Sequence, residues 1–188
     1  GPLIVHRLDM DTSGIMILAK DKDTHKALQQ QFLRHQVEKH YTAILAGWPQ
    51  RPSGLIDLPL SPDHDHRPCQ RVDHQHGKTA QTRYTVLRRD ENVVIHGQTY
   101  EKAALVDLSP LTGRTHQLRI HAASSEGLNC PIIGDRLYAP QPSPTMEQTL
   151  NQLIRQRLML HASSIKFIHP HTKETIQLQD TPDFEKLI

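Results

Sequence analysis

The sequence predicts an α+β fold, a single domain built on a mixed, mainly antiparallel sheet flanked by a few helices. Three observations lead there. Apolar and polar residues alternate with period two from Lys39 to Gly47, from Thr82 to Val86 and from Ala103 to Leu108. Only a few stretches carry helix signals. No internal repeat or low-complexity tract divides the 188 residues, a length that suits one domain over residues 1–188.

Taken in order, Ser13-Gly14 leads into Ile15–Lys20, an apolar run expected as a buried strand. Asp21 or Asp23 then caps a helix that carries Ala27, Leu28, Gln31 and Phe32 and ends near Gln36. In Lys39–Gly47, Tyr41, Ala43 and Leu45 alternate with His40, Thr42 and Ile44, a half-buried strand stopped by Gly47-Trp48-Pro49. Gln50–Lys78 is crowded with Pro, His, Asp and Arg and reads as loops, with short edge strands around Leu55–Leu60 and Gln70–His74. Three strands of an antiparallel meander follow, at Thr82–Val86, Val93–His96 and Ala103–Leu108. Arg114–Ser125 lacks internal Pro and Gly and carries Leu118 and Ala122 four apart, so it is expected as a helix closed by Gly127. Glu147–Arg157 reads as another helix. Ser164–Ile168 and Glu174–Leu178 read as a closing hairpin.

Composition removes several classes of protein. With 3 Phe, 4 Tyr and 1 Trp in a chain that is 36% hydrophobic, the core is built from Leu, Ile, Val and Ala. Cys69 and Cys130 are isolated, which excludes a C-x-x-C zinc ribbon and a dense disulfide scaffold and fits a reducing compartment. The longest apolar run near the start, Ile15–Ala19, is far short of the roughly 20 residues of a membrane span, and the N-terminus lacks the order of a signal peptide. A cytoplasmic location, with no membrane contact, is expected. The net charge of +2 permits nucleic acid as a partner without demanding it.

Two stretches concentrate chemistry. In His6-Arg7-Leu8-Asp9-Met10-Asp11-Thr12-Ser13-Gly14, one cation and two carboxylates sit within five residues. The plain reading is a hydrogen-bonded turn before a strand; the functional one is a carboxylate held beside a basic group as nucleophile or base. In Leu111-Thr112-Gly113-Arg114-Thr115-His116-Gln117-Leu118-Arg119, a helix would place His116 and Arg119 on neighbouring positions of one face. That segment is either a solvated basic face or a place where one Arg reaches inward to a carboxylate while others meet phosphate. Three histidine pairs, His64/His66, His74/His76 and His169/His171, have the two-residue spacing that grips a metal from a strand, yet no third ligand is fixed. Solvated loops are the preferred reading, and no metal site is assigned.

These residues in combination resemble a known family. His6-Arg7-Leu8-Asp9 with Thr12-Ser13-Gly14, Tyr41 placed 32 residues after Asp9 in Lys39-His40-Tyr41, Gly113–His121, Pro131-Ile132-Ile133-Gly134-Asp135 and Leu158-Met159-Leu160-His161-Ala162 together resemble the RluA family of pseudouridine synthases. Arg67–Val72 and Gly77–Thr82 look most like members that act on large-subunit ribosomal RNA and on transfer RNA stem-loops.

The resemblance implies a pseudouridine synthase catalytic domain: an RNA isomerase without metal or organic cofactor, expected to be monomeric. Asp9 is then the catalytic aspartate, attacking or deprotonating the nucleotide so that uracil detaches at N1 and rejoins through C5. An Arg placed like Arg119 pairs with that Asp, Tyr41 lies against the base, and Arg7 enters the stack where the base has left. Leu160 completes the pocket wall. His6, Arg114 and His116 are counted with the RNA-contacting residues. Family members carry a longer stretch before the His-Arg-Leu-Asp motif, and only five residues precede His6 here, so a catalytic domain lacking its N-terminal part is expected. A different class of reading, an RNA-binding fragment of the same fold without activity, predicts affinity with no modified base. A third, a histidine-rich metal-binding protein, predicts stoichiometric zinc that is lost with the three His pairs.

Overall fold

The computed structural model describes residues 1–140 and 156–188. Eleven strands and two α-helices alternate along them, with a 3-10 turn at Asp183–Leu187. The strands are β1 (Leu3–Ile4), β2 (Ser13–Gly14), β3 (Leu18–Ala19), β4 (Glu38–Ala46), β5 (Ser53–Asp57), β6 (Leu60–Pro62), β7 (Gln70–Val72), β8 (Gln81–Ile95), β9 (Gln98–Pro110), β10 (Leu160–Ile168) and β11 (Thr175–Gln179). The helices are α1 (Lys22–Leu33) and α2 (Gln117–Ala123). The main sheet runs β11-β10-β4-β9-β8-β5, antiparallel throughout, with β2 added in parallel to the start of β10; β1 pairs with β3, and β6 with β7. The expected mixed, mainly antiparallel α+β architecture is therefore present.

Local chemistry explains most boundaries. Asp21 caps α1, its carboxylate accepting from the Thr24 N–H at 2.8 Å. Leu28 of that helix joins Ile17, Ala19, Val37, Ile165 and Phe167 in one buried cluster. β4 was expected to be half-buried, but Thr42, Ala43, Ile44 and Leu45 are all buried. The reason is its place between β10 and β9, with the Pro131–Ile133 segment bonded beside it through Ala46 N–H to Pro131 O and Ile133 N–H to Ile44 O. The larger core, from Ala43 and Leu45 through Val106 to Leu158 and Leu160, gathers here.

Three expectations are corrected. The meander is a two-stranded hairpin, because the charged stretch Arg88–Glu91 continues the β8–β9 ladder and a bulge between Val86 and Arg88 absorbs the irregularity. Ile15–Lys20 yields only the two-residue β3. α2 starts later than expected. The Gln117 carboxamide oxygen accepts from Thr112 Oγ1 and the Arg114 N–H, at 2.7 and 3.1 Å, and this holds Gly113–Thr115 in a turn before the helix. The helix expected at Glu147–Arg157 falls almost wholly outside the described residues. The hairpin expected at the end is β10–β11.

The β2–β10 pairing positions the loop that carries Asp9. Gly14 has φ +115°, and a Cβ there would lie 2.3 Å from the Ala162 carbonyl oxygen. Only glycine fits. Gly14→Ala is therefore expected to cost at least about 2 kcal/mol, measured as a drop in unfolding free energy by urea titration.

Candidate active site

The Asp9 loop is held from several sides. The Thr12 N–H donates to the Asp9 carbonyl at 3.0 Å, closing a turn. Asp11 pairs with Arg136 at 3.1 Å. Ser13 Oγ lies 2.8 Å from His161 Nδ1 and accepts from Arg157 Nη2 at 3.1 Å, while His161 Nε2 lies 2.8 Å from Asp180. His161 thus bridges Ser13 and Asp180 through its two ring nitrogens. Upstream, His6 Nε2 accepts the Ile17 N–H at 2.8 Å and its ring stacks on Phe32 with centroids 4.7 Å apart. Burial, reinforced by the charge of Lys39, lowers the His6 imidazole to about 4, so the ring is neutral in the folded protein. Thr12 Oγ1 is buried without a hydrogen-bond partner among the described residues.

Opposite this loop stands a buried ion pair. Arg119 on α2 donates from Nε and Nη2 to the two carboxylate oxygens of Asp135, at 3.0 and 2.7 Å, with the side chains 4% and 0% exposed. Asp135 also accepts the N–H groups of Leu137 and Tyr138. Burial works against the Arg119 charge, but the hydrogen bonds and charge of Asp135, with a contribution from Asp9, more than offset it and raise the guanidinium pKa. The Arg119 guanidinium carbon lies 5.5 Å from the centroid of the Tyr138 ring, and the Tyr138 hydroxyl accepts the Gln70 N–H at 2.8 Å and meets His116 Nδ1 at 2.7 Å.

Asp9 acts electrostatically on three groups. Burial, then the Asp9 charge, pushes the Tyr41 phenol up to about 12, which keeps it protonated. Burial lowers the His116 imidazole against the pull of Asp9. His116 sits at φ 53°, a left-handed conformation that is costly for a side-chain-bearing residue and turns the chain into α2.

The sequence-expected residues thus occupy different settings. Asp9, Tyr41, His116 and Arg119 share one electrostatic neighbourhood. The hydrogen bonds of Arg119 go to Asp135 rather than to Asp9. Arg7 is exposed; Arg114 is exposed and donates from Nε to the Thr79 carbonyl at 2.9 Å. Leu160 is 2% exposed and packs in the main core. Sequence reasoning assigned no role to Asp135, Tyr138 or Lys39. The first lies inside Gly134-Asp135, where a carboxylate beside a turn glycine was a usable signal. Lys39 has no carboxylate partner among the described residues, its Nζ lies 6.0 Å from the Phe32 ring centroid, and burial lowers its pKa. The histidine pairs lie apart. His66 bonds Asp63, His74 bonds Glu126 and His171 bonds Thr24, and no group of three or more metal-binding side chains occurs among the described residues.

Comparison with known proteins identifies the family. The model of the RNA pseudouridylate synthase family matches residues 1–124, and the chain belongs to that family. It is 41% identical over 167 residues to the "Dual-specificity RNA pseudouridine synthase RluA" of Vibrio vulnificus, covering 89% of this chain and 60% of that protein. Against the protein of the same description from Escherichia coli K12 the identity is 37% over 180 residues, covering 96% and 73%. The chain thus spans about 60% of the length of the Vibrio relative. Among solved structures, it is similar to human RNA pseudouridylate synthase domain containing 1 (TM-score 0.76, 28% identity, 98% of this chain and 70% of that one). Human RNA pseudouridylate synthase domain containing 4 matches with TM-score 0.73 and 30% identity over 99% and 74%. No helix among the described residues is long and apolar enough to cross a membrane.

Two stability predictions test this frame. Asp135→Asn leaves a buried guanidinium without its counter-charge and is expected to cost about 3 kcal/mol or more, read by urea denaturation. The lowered His6 pKa means that the unfolded chain binds the proton more tightly, so stability falls as pH drops from about 6.5 towards 4. In His6→Gln that part of the decline, on the order of 2 kcal/mol, is expected to vanish from unfolding titrations at pH 7 and pH 4.5.

Proposed function

We propose that this chain is the catalytic domain of an RNA pseudouridine synthase, acting as a monomer in the cytoplasm on uridines of large-subunit ribosomal RNA, of transfer RNA stem-loops, or of both. The observation that carries the reading is the shared neighbourhood of Asp9, Tyr41 and Arg119 in a chain of this family.

The reaction is an isomerisation. The N1–C1′ bond of uridine breaks, its electron pair leaving with the uracil; the base turns; C5 bonds to C1′; the C5 proton is released and N1 takes one up. Atoms and electrons balance without an oxidant or a reductant. Asp9 works on the nucleotide as nucleophile or base, and either route requires its carboxylate beside the sugar. Asp135 fixes Arg119 through Nε and Nη2 and leaves Nη1 for Asp9 or the substrate. Tyr41, kept protonated, offers an aromatic face and a neutral hydroxyl to the uracil. Water kept out of such a pocket cannot compete for the detached base.

Arg7, exposed at the mouth of the loop, takes the place of the extruded base in the RNA stack. Arg114 meets phosphate. His116 and His6 hold the loop geometry, and Leu160 forms the wall from the core side.

The direct test is tritium release from RNA carrying uridine labelled at C5. Native chain is expected to release tritium, and Asp9→Asn to release at least about a thousandfold less while RNA affinity changes little. Turnover retained in Asp9→Asn would overturn the assignment.

A further inference from the structure

Beside the site lies a cleft of about 330 Å3 whose wall includes Leu60, Gln70, Lys78, Gly113, Arg114 and Thr115. Its cations are held in place yet electrically unspent. The Lys78 backbone is locked by reciprocal bonds with Leu60, at 2.9 and 2.8 Å, while its exposed side chain has no acceptor among the described residues. Arg114 is steered by its bond from Nε to Thr79 O at 2.9 Å and has no carboxylate partner among the described residues. Lys39 Nζ is the group nearest to the open space at Gly113.

Gly113 itself is informative. Unlike Gly14, it does not have a left-handed φ, and an added Cβ would meet nothing nearer than Lys39 Nζ at 3.9 Å. Nothing in the fold requires glycine there. Glycine also serves where a ligand must approach the backbone closely, and here the open backbone is flanked by Lys39, Arg114 and Lys78. The cleft wall is tied to the site by hydrogen bonds: Gln70 in the wall bonds Tyr138, which bonds His116, the neighbour of Thr115.

We propose that phosphates of the RNA strand next to the target nucleotide cross Gly113, flanked by Lys39, Arg114 and Lys78. This rests on the reading of the chain as an RNA-modifying enzyme and adds the path the substrate takes. A half-buried lysine without a counter-charge is costly, and a phosphodiester offsets that cost when bound. Guanidinium and ammonium groups on a groove are the chemistry that tracks a nucleic-acid backbone.

Binding of a fluorescein-labelled stem-loop RNA, followed by anisotropy over a KCl series, tests the path with Lys39→Gln, Lys78→Gln and Gly113→Val. Lys173→Gln, on the distant β10–β11 turn, controls for bulk charge. Each lysine variant is expected to weaken binding about three- to tenfold and to make the salt slope shallower by about 0.7. Gly113→Val is expected to weaken binding with the slope and the thermal midpoint unchanged, and Lys173→Gln to bind like the native chain. RNA with a single neutral methylphosphonate near the target should reproduce the Lys78→Gln loss in the native chain and add nothing to it in the variant. Native affinity and slope in all three variants, or an equal loss in Lys173→Gln, would overturn the path. The two readings separate cleanly. Lysine-dependent binding without tritium release removes the proposed reaction and keeps the path; release with binding indifferent to all three positions does the reverse.

Discussion

The buried pair of Arg119 and Asp135 is the constraint around which the rest of the site is arranged. Two charges at 4% and 0% exposure are tolerable only because each is satisfied several times over: by two mutual hydrogen bonds, by the Leu137 and Tyr138 N–H groups, and by the Tyr138 ring. Such a pair fixes geometry more than it adds stability. It fastens α2 to the segment after Gly134, and that segment fastens the Tyr138 hydroxyl to the β7 backbone and to His116. A helix, a turn and a hairpin are thereby held in one arrangement by groups that cannot be separated without leaving a charge bare.

The Asp9 loop is anchored by a different kind of contact. It lies on β10 through a parallel two-residue pairing and exchanges polar contacts with residues far along the chain, Arg136, Arg157 and His161. Each of these contacts restrains the loop at a residue other than Asp9, so the Asp9 side chain is positioned through its backbone. The polar contacts that support the loop fall two and four residues from Asp9, at Asp11 and Ser13.

Much of this was legible in the sequence, for physical reasons. Asp21 announced a helix because a carboxylate at that position satisfies N–H groups that nothing else reaches. β4 and the final hairpin were legible because period-two patterns map directly onto strands. The motifs of residues 6 to 14 and 113 to 121 singled out Asp9, His116 and Arg119, which share one electrostatic neighbourhood. What stayed hidden were long-range partners. Arg119 could be assigned an inward-facing carboxylate, but sequence spacing does not say that its hydrogen bonds go to Asp135. Likewise, Gln117 delays the start of α2 through a side-chain bond that helix propensity does not encode. The meander failed for a related reason: Arg88–Glu91 reads as a polar connection, yet an exposed ladder accepts charged residues on both faces so long as a bulge takes up the register.

The family match ends at residue 124, while the groups that hold its site together continue well past it. Asp135, Arg136, Tyr138, Arg157, His161 and Asp180 all lie beyond that point, and they supply the partners of Arg119, Asp11, His116 and Ser13. The residues inside the family match are therefore only part of the physical site. The first part of the chain carries the groups assigned to chemistry; the later part carries the hydrogen bonds and the strand that fix their positions. Because the contacts of Asp11 and Ser13 join residues more than a hundred positions apart, the loop cannot reach its final geometry until β10 has docked on β4. The arrangement of the site is then a property of the assembled sheet, and the Asp9 motif taken by itself does not have it.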